Sequence, residues 1–396
     1  MISTKWERLP LNHVAYVQTG LAKGKKDIKK PILVPYLRVA NVQDGYLDLS
    51  VIKSIEVDES TLDRYLLKSG DVLLTEGGDF DKLGRGAIWE GEINPCVHQN
   101  HIFVVRPKDE LLTPQFLSLL TGSAYGKAYF LKCSKQSTNL ASINSTQLKE
   151  FPVLLPSLTE QKKIVEVIHA WDKAIEKTER LITAKEKQYL WLLSNLISND
   201  KHQHVHIRDF AFEVSTRNNG TAIDLVLSVT NNRGFVLPSD QFERRVASSD
   251  LSNYKIAKHG QYAYNPSRIN VGSIARLDGW DKGVLSPMYV VFELNEKKVN
   301  SDYFLHWLES HEGKEHIRNS AQGSVRETVS FTDFGAISFP LPSINEQGKI
   351  AAVLNMARNE IDLIKRQLEA CRQQKRGLMQ KLLTGQWRVK TNTEEM

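Results

Sequence analysis

The sequence predicts an α+β protein: two tandem mixed domains separated by two long helices that form an antiparallel coiled coil with approximate two-fold symmetry. Three observations predict this architecture. A long segment occurs twice, each copy carries a heptad pattern of apolar residues, and short β-type runs punctuated by Gly, Asp and Asn precede each copy. Together they indicate a duplicated domain followed each time by a helix.

Composition sets the broad class. The chain has 396 residues, of which 41% are hydrophobic and 25% charged, as in globular proteins. It has no apolar run of about 18 residues and no visible signal peptide, so we expect no membrane span, and its few scattered cysteines favour a reducing cytoplasm. The 3 cysteines are scattered and form no metal motif. A net charge of +6 permits nucleic-acid binding without establishing it.

The repeat is closest at the start of each helix. LPSLTEQKKIVEVI at 155–168 and LPSINEQGKIAAVL at 341–354 share the Leu-Pro-Ser and Glu-Gln steps at a constant offset. The match continues without a gap to LLSNLISN at 192–199 and LMQKLLTG at 378–385. Ser157 with Glu160, and Ser343 with Glu346, have the spacing of a helix capping box. The sequence therefore predicts two equivalent helix starts.

A 4-3 spacing of apolar residues runs through both helical blocks, as in the seam of a coiled coil. Lys185 and Lys375 are charged positions in that spacing, and we expect them to reach water. Two such helices in one chain most simply pair with each other, although each could instead pack within its own domain. The predicted seam comprises Ile164, Ile168, Trp171, Ile175, Ile182, Tyr189, Ile350, Leu354, Ile361, Ile364, Leu368 and Leu378.

The repeat divides the chain into five segments. We expect a first globular domain over 1–156, a first helix over 157–200, a second globular domain over 201–342, a second helix over 343–388 and a tail over 389–396. Strands are predicted at 36–42, 70–76, 86–91 and 101–107 in the first domain, and at 224–230, 261–265, 272–277 and 288–294 in the second. One helix per domain follows, near 114–121 and 301–310.

Catalytic signatures are missing from the sequence. It contains no phosphate-binding loop of the GxxxxGK[ST] type, and no glycine fingerprint suggests dinucleotide or adenosine binding. Asn265-Pro266-Ser267 lacks the second proline and the aromatic residue of an adenine methyltransferase loop, and we interpret it as a turn. His202, His204 and His206 alternate without a Cys or carboxylate that would complete a metal site. We therefore predict no catalytic residue, no metal and no cofactor on this chain.

What remains is polar chemistry on loops, at corresponding places in both copies. Reading of base edges needs Arg, Lys, Asn or Gln side chains on a rigid frame. Each residue alone could be a plain surface residue, but their recurrence favours a DNA-binding role. The candidates are Arg38, Asn41, Gln43, Lys82, Arg85, Gln99, Asn100, Lys135, Gln136 and Asn139 in the first domain, and Asn231, Asn232, Arg233, Asn265, Arg268, Asn270, Gln322 and Arg326 in the second.

These features carry a family likeness over nearly the whole chain. The duplicated LPSxxEQxxI entry to a long helix, after a domain containing GDVLLTExG and a terminal FPVLLP or FPLP strand, resembles the specificity (S) subunit of type I restriction-modification systems. The resemblance implies two target-recognition domains that each read half of a split, asymmetric sequence in double-stranded DNA, with the coiled coil setting the gap. The recognised sequence and the spacer length cannot be read from these residues.

The likeness also implies partners. Two methyltransferase (M) subunits would bring S-adenosylmethionine and adenine methylation, and restriction (R) subunits would bring ATP, Mg and cleavage. Two alternatives stay open from the residues themselves. One is a coiled-coil adaptor that binds proteins instead of DNA, and the other is a free-standing nuclease or methyltransferase, which would need a catalytic motif.

Overall fold

A computed structural model describes residues 6–22, 28–78, 83–136, 141–197, 202–219, 223–238, 250–322 and 328–390. The strands are β1 (Glu7–Pro10), β2 (Ala15–Thr19), β3 (Pro31–Leu37), β4 (Lys53–Asp58), β5 (Asp71–Thr75), β6 (Gly77–Gly78), β7 (Gly86–Trp89), β8 (Val97–His98), β9 (Ile102–Pro107), β10 (Lys135–Gln136), β11 (Ala141–Ser142), β12 (Pro152–Leu155), β13 (His204–His206), β14 (Ala211–Glu213), β15 (Ser228–Thr230), β16 (Gly234–Val236), β17 (Lys255–Lys258), β18 (Tyr262–Tyr264), β19 (Ile274–Arg276), β20 (Lys282–Leu285), β21 (Val290–Leu294) and β22 (Ser338–Pro340). The helices are α1 (Leu11–Val14), α2 (Leu62–Tyr65), α3 (Pro114–Gly122), α4 (Ala124–Cys133), α5 (Ser145–Lys149), α6 (Leu158–Ile197), α7 (Ser301–Glu309), α8 (His311–Gln322), α9 (Phe331–Gly335) and α10 (Ile344–Leu383).

The chain forms two compact units. Unit 1 comprises residues 1–177 and 367–396, and unit 2 comprises residues 178–366. Each unit therefore contains one globular domain, one part of α6 and one part of α10. The two 40-residue helices occupy the two predicted helical blocks.

The two units repeat one sheet plan. Unit 1 has a four-stranded antiparallel sheet in the order β2-β9-β5-β7, and unit 2 has one in the order β14-β21-β18-β19. A two-stranded pair comes before each long helix, β1 with β12 in unit 1 and β13 with β22 in unit 2. The weak sequence similarity of the domains thus corresponds to the same strand order.

The predicted strand over 36–42 is wrong in its second half. Strand β3 ends at Leu37, and residues Val39–Asn41 form a 3-10 turn. The reason is local: the Asn41 side chain accepts the Arg38 backbone N–H at 2.9 Å and donates to the Asp48 carbonyl at 2.8 Å. These bonds satisfy the backbone in a turn in place of a strand ladder.

In unit 1, the core joins the sheet to both long helices. Ile164 and Ile168 of α6 and Leu382 of α10 are buried in the same cluster as Phe103 and Phe116. Asp172 of α6 forms an ion pair with Lys375 of α10, so the charged seam position has a carboxylate partner.

In unit 2, an equivalent cluster buries Leu193 and Ile197 of α6 with Ile350 and Leu354 of α10. Lys185 forms an ion pair with Glu360 at 2.9 Å, so it also has a partner on the other helix. In both units the contacts join the later part of one helix to the earlier part of the other.

Every predicted seam residue is buried or half-buried. The half-buried ones are Trp171, Ile175, Tyr189 and Leu378.

One glutamine fastens each long helix to its globular domain. The Gln161 side chain is fully buried; its Oε1 accepts the Thr113 N–H at 2.8 Å, and its Nε2 donates to the Leu111 and Pro156 carbonyls at 2.8 and 3.0 Å. Gln347 repeats this pattern in unit 2, with the Asn300 N–H at 2.7 Å and the Lys298 and Pro342 carbonyls at 3.0 and 2.9 Å. The Glu-Gln step is therefore a structural joint.

Glu160, the other half of that step, has a different role from the predicted capping box. Ser157 Oγ accepts the Glu160 N–H at 3.3 Å, which is the expected half of the box. The buried Glu160 carboxylate, however, pairs with Arg388 at 2.6 and 2.8 Å and accepts the Trp6 indole N–H at 3.2 Å. Glu346, its counterpart in unit 2, is exposed.

We expect Gln161→Leu to lower the free energy of unfolding of unit 1 by about 2–4 kcal/mol, because it leaves three backbone groups without their buried partner. Urea titration followed by tryptophan fluorescence measures the loss. Gln188→Leu, at an exposed position of the same helix, is the matched control. Equal midpoints for the two variants would contradict this role for Gln161.

Candidate nucleic-acid interface

A concave pocket of about 900 Å³ lies in unit 2, beside several of the predicted DNA-binding residues. Its lining includes the turn Asn231–Arg233 between β15 and β16, and Asn270 of the turn Ile269–Val271. Lys314 and Arg318 of α8 line it as well, although the sequence analysis did not name them. Polar side chains from three separate elements therefore line the pocket, together with apolar ones such as Phe235 and Trp280.

Hydrogen bonds hold the two turns together. Thr230 Oγ1 accepts the Arg233 N–H at 3.1 Å, which closes the first turn. The buried Ser273 hydroxyl donates to the Val229 carbonyl at 2.8 Å and ties the second turn to β15. Gly272 has φ +94°, and a Cβ there would lie 3.5 Å from the Asn231 carbonyl oxygen. Two side-chain hydroxyls and the close approach at Gly272 therefore hold the frame of the two turns.

The predicted DNA-binding residues of unit 2 differ in exposure and in side-chain hydrogen bonding. Asn231, Asn232, Arg233 and Arg268 are exposed, and Asn270 is half-buried. Asn265 instead accepts the Ser267 N–H at 3.0 Å with its side-chain oxygen, so this side chain shapes the loop. The structure thus brings four of the predicted residues to one pocket and assigns Asn265 a structural bond.

In unit 1, the predicted residues form a tighter cluster. Asn41 is buried and its side-chain groups are bonded within the loop. Gln43 Oε1 accepts from Arg85 at 3.1 Å, which brings these two predicted residues together. Arg38 donates to the Val51 carbonyl at 3.1 Å. Many of the hydrogen-bonding groups of these side chains therefore stabilise the loop.

The remaining candidates of unit 1 lie on neighbouring elements. Gln99 and Asn100 are half-buried, and the Gln99 N–H donates to the Leu37 carbonyl at 2.9 Å, next to Arg38. Lys135 and Gln136 are exposed on β10, in the sheet β10-β11-β6. The predicted residues outside the described part of the chain are Lys82, Asn139, Arg326 and the side chain of Gln322.

A buried polar network lies behind the unit 2 pocket and was not predicted. His306 of α7 is almost fully buried; its Nε2 lies 2.8 Å from Asn355 Oδ1 and its Nδ1 lies 2.9 Å from the Tyr189 hydroxyl. Asn355 donates to Asp302 at 2.8 Å, and Asp302 pairs with Arg276 at 2.7 Å. Because Arg276 lines the pocket, this network connects the pocket wall to α6 and α10 within unit 2.

The residues that the structure describes hold no group of three or more His, Cys, Asp or Glu side chains arranged to bind a metal ion. The three cysteines are free thiols. Within the described ranges, no helix has the length and apolar character needed to cross a membrane.

The fold defines a duplicated α+β protein in which each copy of the domain carries polar turns. A sequence model for the type I restriction modification DNA specificity domain matches residues 3–186 and 248–372, which is well over half of the chain. The chain therefore belongs to the family of type I restriction-modification specificity subunits, whose domains recognise DNA. Membership favours DNA recognition over the protein-binding adaptor.

Individual relatives agree with this family. The MjaX specificity subunit of Methanocaldococcus jannaschii, assigned to a type I restriction enzyme, is 26% identical over 98% of this chain and 95% of its own. The EcoKI specificity subunit of Escherichia coli is 27% identical over 44% of this chain and 41% of its own. The similarity to the first relative thus covers both units.

Solved structures share the fold. The HsdS subunit of Thermoanaerobacter tengcongensis superposes with a TM-score of 0.59 at 14% identity, covering 98% of each chain. A chain from a study of complex assembly and conformational transition of a type I R-M system gives a TM-score of 0.64 at 15% identity, covering 98% of this chain and 100% of its own. At this identity the likeness concerns the fold alone.

Burial lowers the pKa of His306 to about 4, below its ordinary value of 6.5. The unfolded chain then binds one more proton than the folded chain between these two pH values. We therefore expect the free energy of unfolding to be unaffected by His306 protonation above about pH 6.5. As the pH drops from 6.5 toward 4, protonation of this group in the unfolded chain should lower that free energy by about 3 kcal/mol in total.

Urea titrations of the wild type and His306→Gln from pH 7 to pH 4 measure this effect. The stability gap between the two proteins should narrow as the pH falls, since the variant has no imidazole to protonate. A gap that stays constant would contradict the buried neutral histidine.

Proposed function

We propose that this chain reads a split, asymmetric DNA target, with the domain at 1–156 reading one half-site and the domain at 201–342 reading the other. The observation that carries the proposal is a shared scaffold with different side chains at equivalent turns. Gln43-Asp44-Gly45 in the first domain corresponds to Asn232-Arg233-Gly234 in the second, and both glycines have positive φ. Since base discrimination depends on such side chains, the two half-sites should differ.

The long helices support a gap between the half-sites. We infer that α6 and α10 form an antiparallel coiled coil, supported by their apolar 4-3 spacing and by the ion pairs found in each unit. A helix of 40 residues is about 60 Å long, whereas one turn of DNA is about 34–36 Å. Several unspecified base pairs should therefore separate the half-sites.

Chemistry is assigned to partners in this proposal. Two M subunits would supply S-adenosylmethionine-dependent adenine methylation, and R subunits would supply ATP- and Mg-dependent cleavage. The chain itself would be non-catalytic and would act in the cytoplasm. The support is the family membership together with the lack of a catalytic motif in the sequence.

An apolar stripe on α10 is our candidate for partner binding. Val353, Met356 and Leu363 are 45%, 71% and 50% exposed, and their spacing places them on one side of the helix. Exposed apolar stripes of this kind mark protein interfaces. We assign this stripe to contact with an M subunit.

Replacing Arg268 and Asn270 by Ala should alter or abolish reading of one half-site, because these side chains lie at the rim of a single domain. Single-molecule methylation mapping of host DNA, with the variant replacing the wild-type gene, measures the motif. The other half-site and the spacer should stay unchanged. A change in both half-sites, or a continuous wild-type motif, would count against the split target.

Met356→Glu should reduce co-purification of the M subunit at least tenfold, since it puts a charge into an apolar interface. The matched control is Gln373→Glu on the same helix, at an exposed position outside the stripe. Thermal denaturation checks that both variants are folded. Equal retention of the M subunit by both variants would remove the stripe from the interface.

The purified chain, free of other subunits, should transfer no methyl group from S-adenosylmethionine to DNA carrying its target. Adding the M subunits should restore transfer. Radiolabelled methyl incorporation is the measurement, and incorporation by the isolated chain would refute its non-catalytic role.

A further inference from the structure

The second helix after the four-stranded sheet begins with the same short element in both units. Ser123-x-x-Gly126-Lys127 opens α4 and Ser310-x-x-Gly313-Lys314 opens α8. In both, the serine hydroxyl accepts the glycine N–H, at 3.3 and 3.1 Å. A Cβ on Gly126 would lie 2.2 Å from the Thr121 carbonyl oxygen, and one on Gly313 would lie 2.1 Å from that of Trp307.

These contacts explain why the element is repeated. The helix backbone approaches the end of the preceding helix so closely that only glycine fits. The next residue, Lys127 or Lys314, therefore occupies the same position in both units and is exposed in each. The duplicated scaffold thus presents one cation at a fixed place beside each polar turn.

In unit 2, this cation faces the pocket. Lys314 and Arg318, one helical turn apart, both line it and are both exposed. The acidic lining residues are engaged elsewhere: Asp278 pairs with Arg276 at 2.6 Å, and Glu309 pairs with Arg358. Among the residues that the structure describes, no carboxylate lies within 4 Å of the Lys314 or Arg318 cation.

The adjacent face of α8 has a different character. His311, Glu312, Glu315 and His316 line a separate groove there. The helix therefore sorts its charges, with the cations toward the pocket that carries Asn231 and Asn232, and the carboxylates away from it. A surface that combines amide side chains with adjacent cations suits a nucleic-acid strand, whose bases and phosphates need these two groups.

In unit 1, the equivalent lysine has a carboxylate partner within the chain. Lys127 Nζ lies 3.2 Å from Asp44 Oδ2, and Asp44 precedes Gly45 at the turn. The corresponding residue before Gly234 is Arg233, so the charge at this position is reversed between the units. The same scaffold therefore carries a compensated lysine in unit 1 and a cationic cluster in unit 2.

We propose that Lys314 and Arg318 bind backbone phosphates of the double-stranded DNA whose bases meet the Asn231–Arg233 turn, whereas Asp44 withholds Lys127 from the equivalent contact. This inference rests on the proposed DNA-reading function and deepens it. The second domain then supplies more of the salt-dependent affinity than the first, while sequence discrimination stays with the turns.

The test uses the full chain in complex with its M subunits and a duplex that contains the methylated target. Affinity is measured against salt concentration, because each phosphate contact contributes about 0.9 to the slope of log K against log salt. Lys314→Ala and Arg318→Ala should each reduce the magnitude of the slope by about 0.9 and weaken binding equally on specific and unrelated duplexes. Lys127→Ala should change the magnitude of the slope little, and Asp44→Asn should increase it.

Two controls keep the outcomes separate. Lys297→Ala removes an exposed cation of unit 2 that does not line the pocket, and Lys314→Gln keeps a polar side chain of similar length without the charge. Lys297→Ala should leave the slope unchanged, and Lys314→Gln should behave like Lys314→Ala.

An unchanged slope for Lys314→Ala and Arg318→Ala, with wild-type specificity intact, would overturn this inference and leave the proposed function standing. A shifted methylation motif would overturn it too, since it would make these residues base readers. A wild-type complex without specific DNA binding would overturn both proposals.

Discussion

The buried amide of Gln161, and its repeat at Gln347, is the interaction on which the architecture of each unit depends. Each side chain joins three backbone groups: two in the loop before α3 or α7 and one at the proline that precedes the long helix. An amide is well suited to this position because it donates and accepts at once. Leucine could fill the volume but would leave the loop groups unsatisfied. The direction in which each long helix leaves its domain is thereby fixed.

Around this shared joint, the two units use different polar contacts. Unit 2 adds the network of His306, Tyr189 and Asn355, which ties α7 to both long helices. Unit 1 instead has the buried Glu160 carboxylate, which accepts hydrogen bonds from Arg388 and Trp6. Both solutions bury polar groups only with partners, as a low-dielectric interior demands. The two units therefore share a backbone fold but stabilise it with different networks of polar side chains.

The sequence predicted the parts of the fold that repeat or follow a period. The helices Leu158–Ile197 and Ile344–Leu383 could be located because apolar residues recur at 4-3 spacing over many turns. Helix α8 was missed, since HEGKEHIRNSAQ is mostly polar and its few buried residues give little periodic signal. The repeated Ser-x-x-Gly-Lys element was the signal that could have located it. The strand over 36–42 was wrong because one side-chain bond from Asn41 turned the backbone.

The candidate site was harder to predict for a physical reason. Asn, Gln and Arg bind DNA bases with the same donors and acceptors that they use to stabilise loops. Asn41 and Asn265 are engaged in their own turns, whereas Asn231 and Asn232 are exposed at a pocket rim, yet all four lie in similar polar contexts in the sequence. Which of the two roles a residue takes depends on tertiary neighbours such as Ser273, which ties one turn to another across 44 positions of sequence. A protein whose scaffold is duplicated and whose turns diverge can therefore change its rim side chains while the joints at Gln161 and Gln347 keep the frame constant.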